Sequence, residues 1–125
     1  MAPVILLADD SPTARAVLKL TLTKNGFEVG GEANNGEEMV EMYQRLHPDL
    51  VITDLAMPKL NGIQAIKRIR ELNPQARILV CSSHAATSAS MLVNEALKVG
   101  ACGYVSKSGD KEALVAAVKK ALGEI

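Results

Sequence analysis

A chain of 125 residues is long enough for one domain around a single buried core, with no need of a disulfide or metal staple. Its 14 basic and 14 acidic residues cancel, so no basic excess marks a nucleic-acid face, and no apolar run approaches the ~18 residues of a membrane span. The 48% hydrophobic content with only two Tyr and one Phe predicts a core of Val, Ile, Leu, Ala and Met. Met1-Ala2-Pro3-Val4 lacks the basic start and long apolar stretch of a secretory signal. Cys81 and Cys102 fall in strand-like stretches, outside any CxxC or Cys/His spacing, and buried free thiols in a reducing cytoplasm are expected.

In chain order, the first strand is expected at Val4 to Ala8. Ser11-Pro12 then reads as an N-cap followed by proline at the first helical position, with Val17, Leu18 and Leu22 at helical spacing and Asn25-Gly26 as the stop. A second strand is expected at Phe27 to Glu32. Asn35 with Glu38 three residues on resembles a capping box for the second helix, which should end before Pro48. Leu50 to Thr53 is the third strand; Ile63, Ile66, Ile69 and Leu72 mark the third helix, closed by Asn73-Pro74. Arg77 to Cys81 is the fourth strand, followed by a helix from about Ser88 to Val99 that stops at Gly100. Cys102 to Ser106 is the fifth strand, and the last helix opens near Asp110 with Leu114, Val118, Ala121 and Leu122 on one face. The runs at Val4, Leu50 and Ile78 are continuous rather than alternating, as in strands covered on both faces. Strict alternation of strand and helix implies right-handed βαβ units, hence a parallel sheet between two helical layers.

Ligands of such sheets bind beyond the carboxyl ends of the strands, near the point where strand order switches. Those ends read Asp9-Asp10, Asp54, Ser82-Ser83 and Lys107. Each is a polar residue directly after an apolar run, so a parallel sheet brings all of them to one rim. Taken singly, an acid there is as readily a helix cap, the serines are turn residues and the lysine is solvated. Together they form a chemical set. Carboxylates a few ångströms apart repel and raise one another's pKa unless a cation joins them. A hard divalent ion with oxygen ligands is the natural guest, and Mg²⁺ suits a partial cage of one or two carboxylates better than Ca²⁺ does. Lys107 supplies a second positive charge. Such a site neutralises a transferring phosphoryl group and aligns an aspartate nucleophile, giving an acyl phosphate. Ser82 is then placed to donate to a phosphoryl oxygen.

The segment Asp54-Leu55-Ala56-Met57-Pro58-Lys59-Leu60-Asn61-Gly62 fits a D-x-x-M-P-x-x-D/N-G loop, Asp9-Asp10 an acidic pair, Ser82 a Ser/Thr position, and Gly103-Tyr104-Val105-Ser106-Lys107 an aromatic-x-x-Lys strand. With these landmarks in order, the chain resembles the receiver domain of two-component response regulators over essentially residues 1–125, with chemotaxis-type stand-alone regulators the most similar. The resemblance implies a flavodoxin-like three-layer α/β sandwich whose parallel sheet has the order 2-1-3-4-5. It implies phosphorylation of Asp54 by a histidine kinase or phosphotransfer protein. Mg²⁺ (or Mn²⁺) would be held by Asp10, Asp54 and the Ala56 carbonyl, with Asp9 acting mainly through a bound water. Ser82 and Lys107 would contact the phosphoryl group. Ser82 moving inward and the Tyr104 ring following it would reshape the surface of helix 4, strand 5 and helix 5 for a downstream protein, a two-state equilibrium biased by one new dianion. The implied role is cytoplasmic signalling, with self-catalysed phosphorylation and slow autodephosphorylation rather than turnover of an outside substrate, and with no membrane or direct nucleic-acid contact.

Departures from the pattern carry their own expectations. Lys107 is followed by Ser108, where many members have proline, so a cis Lys–Pro bond cannot orient the lysine and a mobile loop is expected. The polar stretch 84–89 is longer than in the shortest members and is expected to change on phosphorylation. Ala56 and His84, each two residues beyond a site residue, are expected to tune the lifetime of the phosphorylated state, although a solvated loop position explains His84 equally well. His47, before Pro48 at a helix end, reads as structural. An aspartyl phosphohydrolase would need a second acid at the Ala56 position, and a flavin module would want hydroxyls after strand 1 and flanking aromatics. The output is open: a stand-alone regulator, or the front end of a longer protein with a methylesterase or DNA-binding domain beyond Gly123-Glu124-Ile125.

Overall fold

The computed structural model describes residues 2–57, 59–82, 89–107 and 110–123, the side chains of residues 89 and 90 excepted. Five strands and five helices alternate: β1 (Val4–Ala8), α1 (Pro12–Lys24), β2 (Glu28–Ala33), α2 (Gly36–Leu46), β3 (Leu50–Thr53), α3 (Gly62–Leu72), β4 (Ile78–Ser82), α4 (Ala89–Lys98), β5 (Gly103–Ser106) and α5 (Lys111–Ala121). The strands form one parallel sheet in the order β2-β1-β3-β4-β5, as the resemblance implied.

Strand side chains alternate between faces, and this parity divides the core in two. Leu6, Ala8, Val51, Ile78 and Val80 pack with Met39, Tyr43, Ile66, Ile69 and Ala96 of α2, α3 and α4. Ile5, Leu7, Leu50, Ile52, Leu79, Cys81 and Val105 pack with Leu22, Leu114 and Val118 of α1 and α5. The central strands are therefore buried on both faces, whereas β2, at an edge, alternates in exposure. Among the described residues no helix is long and apolar enough to cross a membrane.

The helix ends follow local chemistry. Ser11 caps α1 through the Ala14 amide, Pro12 opens the helix, and Gly26 follows its end at φ 87°. Asn35 caps α2 through the Glu38 amide, but Glu38 accepts from Asn34 rather than from Asn35, so the reciprocal half of the expected capping box is displaced by one residue. A complete capping box lies instead at Asn61 and Gln64. His47 ends α2 in the left-handed region.

Several expectations need correction at their edges. The Phe27 amide bonds back to Leu22, which makes Phe27 part of the turn rather than of β2. Val17 and Leu72 share the spacing of buried neighbours yet are 51% and 53% exposed, because each flanks the buried stripe rather than lying on it. Cys102 precedes β5 and is exposed, not buried; its thiol still donates to the Ile78 carbonyl at 3.3 Å. Helix α4 is described over Ala89–Lys98 and ends one residue before the expected Val99; its expected start at Ser88 lies outside the described residues.

Candidate functional site

The residues at the strand ends are held by the last rungs of the ladder. The Asp9 amide donates to Ala33 at 3.0 Å, the Asp54 amide to Ala8 at 3.0 Å, and the Lys107 amide to Ser82 at 3.0 Å. Each backbone is thus fixed by a neighbouring strand while its side chain leaves the end of the sheet. Sheet parity continues past the ladder: Asp9 follows Ile5 and Leu7, Asp54 follows Leu50 and Ile52, and Lys107 follows Val105, all in phase with the face covered by α1 and α5.

These three meet. The Lys107 ammonium lies 2.6 Å from Asp9 Oδ2 and 2.9 Å from Asp54 Oδ2. The other carboxylate oxygens accept backbone amides, Asp9 Oδ1 from Ser11 at 2.9 Å and Asp54 Oδ1 from Leu55 at 2.7 Å. Burial alone would lower the Lys107 pKa, but hydrogen bonds to Asp9 and Asp54 and the charges of both carboxylates outweigh it and carry the ammonium above its ordinary 10.5. Beneath the site, burial pushes the Cys81 thiol up to about 11; the Lys107 charge works against that shift, and those of Asp54 and Asp9 add to it.

Asp10 completes the cluster. It is exposed at the start of the β1–α1 turn, and oxygens of Asp9, Asp10 and Asp54 lie within 4.8 Å of one another. The donor set is all carboxylate, part buried and part open to water, with one oxygen of each inner acid already fixed by an amide. That chemistry fits a hard divalent cation retaining several waters.

Opposite the acids, Gly62 opens α3 with its backbone amide on the Leu55 carbonyl at 2.9 Å. A Cβ at Gly62 would overlap the Asp54 carbonyl oxygen and approach the Leu55 Cα to 2.7 Å, so only glycine lets α3 start this close to the acceptor loop. The Thr53 hydroxyl donates to the same Asp54 carbonyl at 2.7 Å.

The sequence pattern of the response regulator receiver domain matches residues 5–119. The chain belongs to that family. It is 43% identical to the chemotaxis protein CheY of Thermotoga maritima over 120 residues, 96% of this chain and 98% of that protein. A LuxR-family two-component response regulator from Aurantimonas superposes with a TM-score of 0.91 at 34% identity, over 99% of this chain and 87% of the other. A chain of the Borrelia burgdorferi CheX–CheY–BeF3–Mg²⁺ complex superposes with a TM-score of 0.87 at 29% identity, over 94% of this chain and 87% of that one.

Within this receiver the remaining expected site residues divide. Ser82 is buried at the end of β4, in phase with Ile78 and Val80 and hence with the face carrying α2, α3 and α4. Tyr104 is 39% exposed on β5, and Ala56 is exposed two residues past Asp54. His84 lies outside the described residues, as do Pro58, Ser108 and the rest of segment 83–88. Two residues at the rim went unnoticed in the sequence. Arg15 of α1 donates through Nη1 to the Asp9 carbonyl and through Nε to Glu32 Oε1 at 3.2 Å. No local pattern signals that pair, because Glu32 reaches Arg15 only through the pairing of β2 with β1.

Proposed function

We propose that residues 1–125 act as one phosphoacceptor receiver, taking a phosphoryl group on Asp54 from a histidine kinase or phosphotransfer protein and displaying the change to a downstream protein in the cytoplasm. The observation that carries this reading is the Lys107 ammonium shared between Asp9 and Asp54, with Asp10 alongside. One Asp54 oxygen is turned by the Leu55 amide and the other faces the ammonium, so the carboxylate is oriented before any donor arrives. Asp54 attacks phosphorus as the bond to the donor's leaving group breaks, and the donor keeps the electron pair of that bond. Lys107 then transfers its hydrogen bond from a carboxylate to the incoming phosphoryl oxygens.

Asp9, Asp10, Asp54 and the Ala56 carbonyl would hold Mg²⁺ or Mn²⁺, which when bound adds positive charge against the phosphoryl oxygens. The BeF3 and Mg²⁺ of the Borrelia complex support this, since beryllium trifluoride on a carboxylate has the shape of a phosphoryl group. Ser82 donates to a phosphoryl oxygen, and its shift, followed by Tyr104, alters the surface of α4, β5 and α5. Ala56 and His84 tune hydrolysis. Identity to CheY supports a chemotaxis-type partner. An aspartyl phosphohydrolase is disfavoured because Ala56 stands where a second acid would be required.

Intact-mass spectrometry after incubation with acetyl phosphate and Mg²⁺ tests the reading. One hydroxylamine-labile phosphoryl group on Asp54 is expected; its absence, or repeated turnover of the donor with no covalent species, would sink it.

A further inference from the structure

The acids of the site are not held alike. Asp9 and Asp54 are fixed by amides and by Lys107, whereas the exposed Asp10 carboxylate makes no hydrogen bond or ion pair among the described residues. No side-chain partner among the described residues places it, so its backbone decides where the carboxylate is attached. The peptide joining Asp9 to Asp10 is planar, so fixing the direction of the Asp9 carbonyl fixes the Asp10 amide and the position of its Cα. The Asp9 amide is tied to Ala33, and the Asp9 carbonyl is held by the Arg15 guanidinium. Arg15 is itself held from the far side by Glu32 of β2, which also receives Lys19 at 3.7 Å, and the Arg15 side chain is only 16% exposed. A guanidinium is suited to this because its planar fork bonds two acceptors at once.

We propose that Arg15, clamped by Glu32, is a positioning residue that aims Asp10 at the divalent-cation site, linking edge strand β2 to cation affinity. The proposal rests on the receiver reading above. It makes a distinctive prediction of sign. Arg15 is a cation near a cation site, so on charge alone its removal would tighten Mg²⁺ binding. Loss of positioning weakens it instead.

The test is a Mg²⁺ titration of the full chain by calorimetry, repeated by amide NMR. It compares wild type, Arg15→Met, which keeps an apolar stem without the charge, and Arg15→Lys, which keeps the charge without the fork. The Mg²⁺ dissociation constant is expected to rise about 10-fold for Arg15→Met, the low end for outer partners of metal ligands, and by less for Arg15→Lys, which keeps the charge. In the metal-free protein the Asp10 amide should exchange faster in both variants. Should Arg15→Met fail to fold, Arg15→Lys alone decides. Wild-type binding together with an unchanged or tighter constant in a folded variant overturns the clamp and leaves the receiver reading standing. A wild type that binds no Mg²⁺ overturns both.

Discussion

The two faces of this sheet continue into two different kinds of rim. On the parity of the α1/α5 face lie Asp9, Asp54 and Lys107, all tied to one another or to backbone amides. On the parity of the opposite face lie Ser82, at the end of β4, and Tyr104, on β5. Helix α4 of that opposite layer leaves Met91, Leu92 and Leu97 at 75%, 46% and 42% exposure. The first rim is charged, and its hydrogen bonds are already in place. The second borders the proposed output surface and keeps its larger apolar side chains in water. The sheet thus separates the charged cluster from Ser82, Tyr104 and α4, while α5 packs on the charged cluster's own side.

Asp54→Asn breaks the comparison at its centre. Acetyl phosphate with Mg²⁺ should then leave the mass unchanged, a complete loss of labelling, while circular dichroism stays that of the wild type because both cores are untouched. Gly62→Ala attacks the same rim sterically. Its new Cβ would collide with the Asp54 carbonyl, which is backbone and yields little, so a loss of about 3 kcal/mol is expected in urea unfolding, at the upper end for overpacking. The same substitution at Gly26, where nothing lies within 4 Å, tests backbone conformation without any such collision.

Lys107→Met should have a smaller effect on stability, about 1–2 kcal/mol in metal-free urea unfolding near neutral pH, because the lysine side chain is 20% exposed and its pairing is partly screened. The pH dependence has a definite sign. A raised lysine pKa means that the pair's contribution is fully present below the ordinary 10.5 and is lost as pH rises through the elevated value. The stability gap between wild type and Lys107→Met should therefore be flat up to that region and close above it. Mg²⁺ should also stabilise the variant more than the wild type, because an ammonium no longer occupies the shared carboxylate oxygens.

Much of this division was legible in the chain itself. Continuous apolar runs at Val4, Leu50 and Ile78 announced doubly covered strands, and the polar residue ending each run announced the rim. What escaped were features created by register and by the flanks of helices. Val17 and Leu72 match the helical period but fall beside the buried stripe, since periodicity gives a face without its width. Arg15 and Glu32 are 17 residues apart in the chain, and their pairing depends on how β2 lies against β1, where the register shifts between Ile5 and Leu6. Gly62 was readable only as part of a family pattern; the overlap with the Asp54 carbonyl supplies its physical reason.

The two cysteines contrast the closed acid rim with the open surface beside β5, by the mildest perturbation. Cys81 is buried under the acid rim, and its thiol is pushed up to about 11 from the ordinary 9.0. At a pH well below both values, its thiolate fraction is roughly 100-fold below that of a free thiol with the ordinary value, and local opening must come first. Cys102 is exposed just before β5, in a groove it lines with Tyr104 and with Ala117 and Lys120 of α5. Iodoacetamide at pH 8 followed by peptide mass mapping should label Cys102 while Cys81 stays unmodified, and both should react in urea. Early labelling of Cys81 in the folded protein would mean that the core under α1 and α5 opens more readily than its packing implies, and the contrast between a closed acid rim and the open surface beside β5 would fail there.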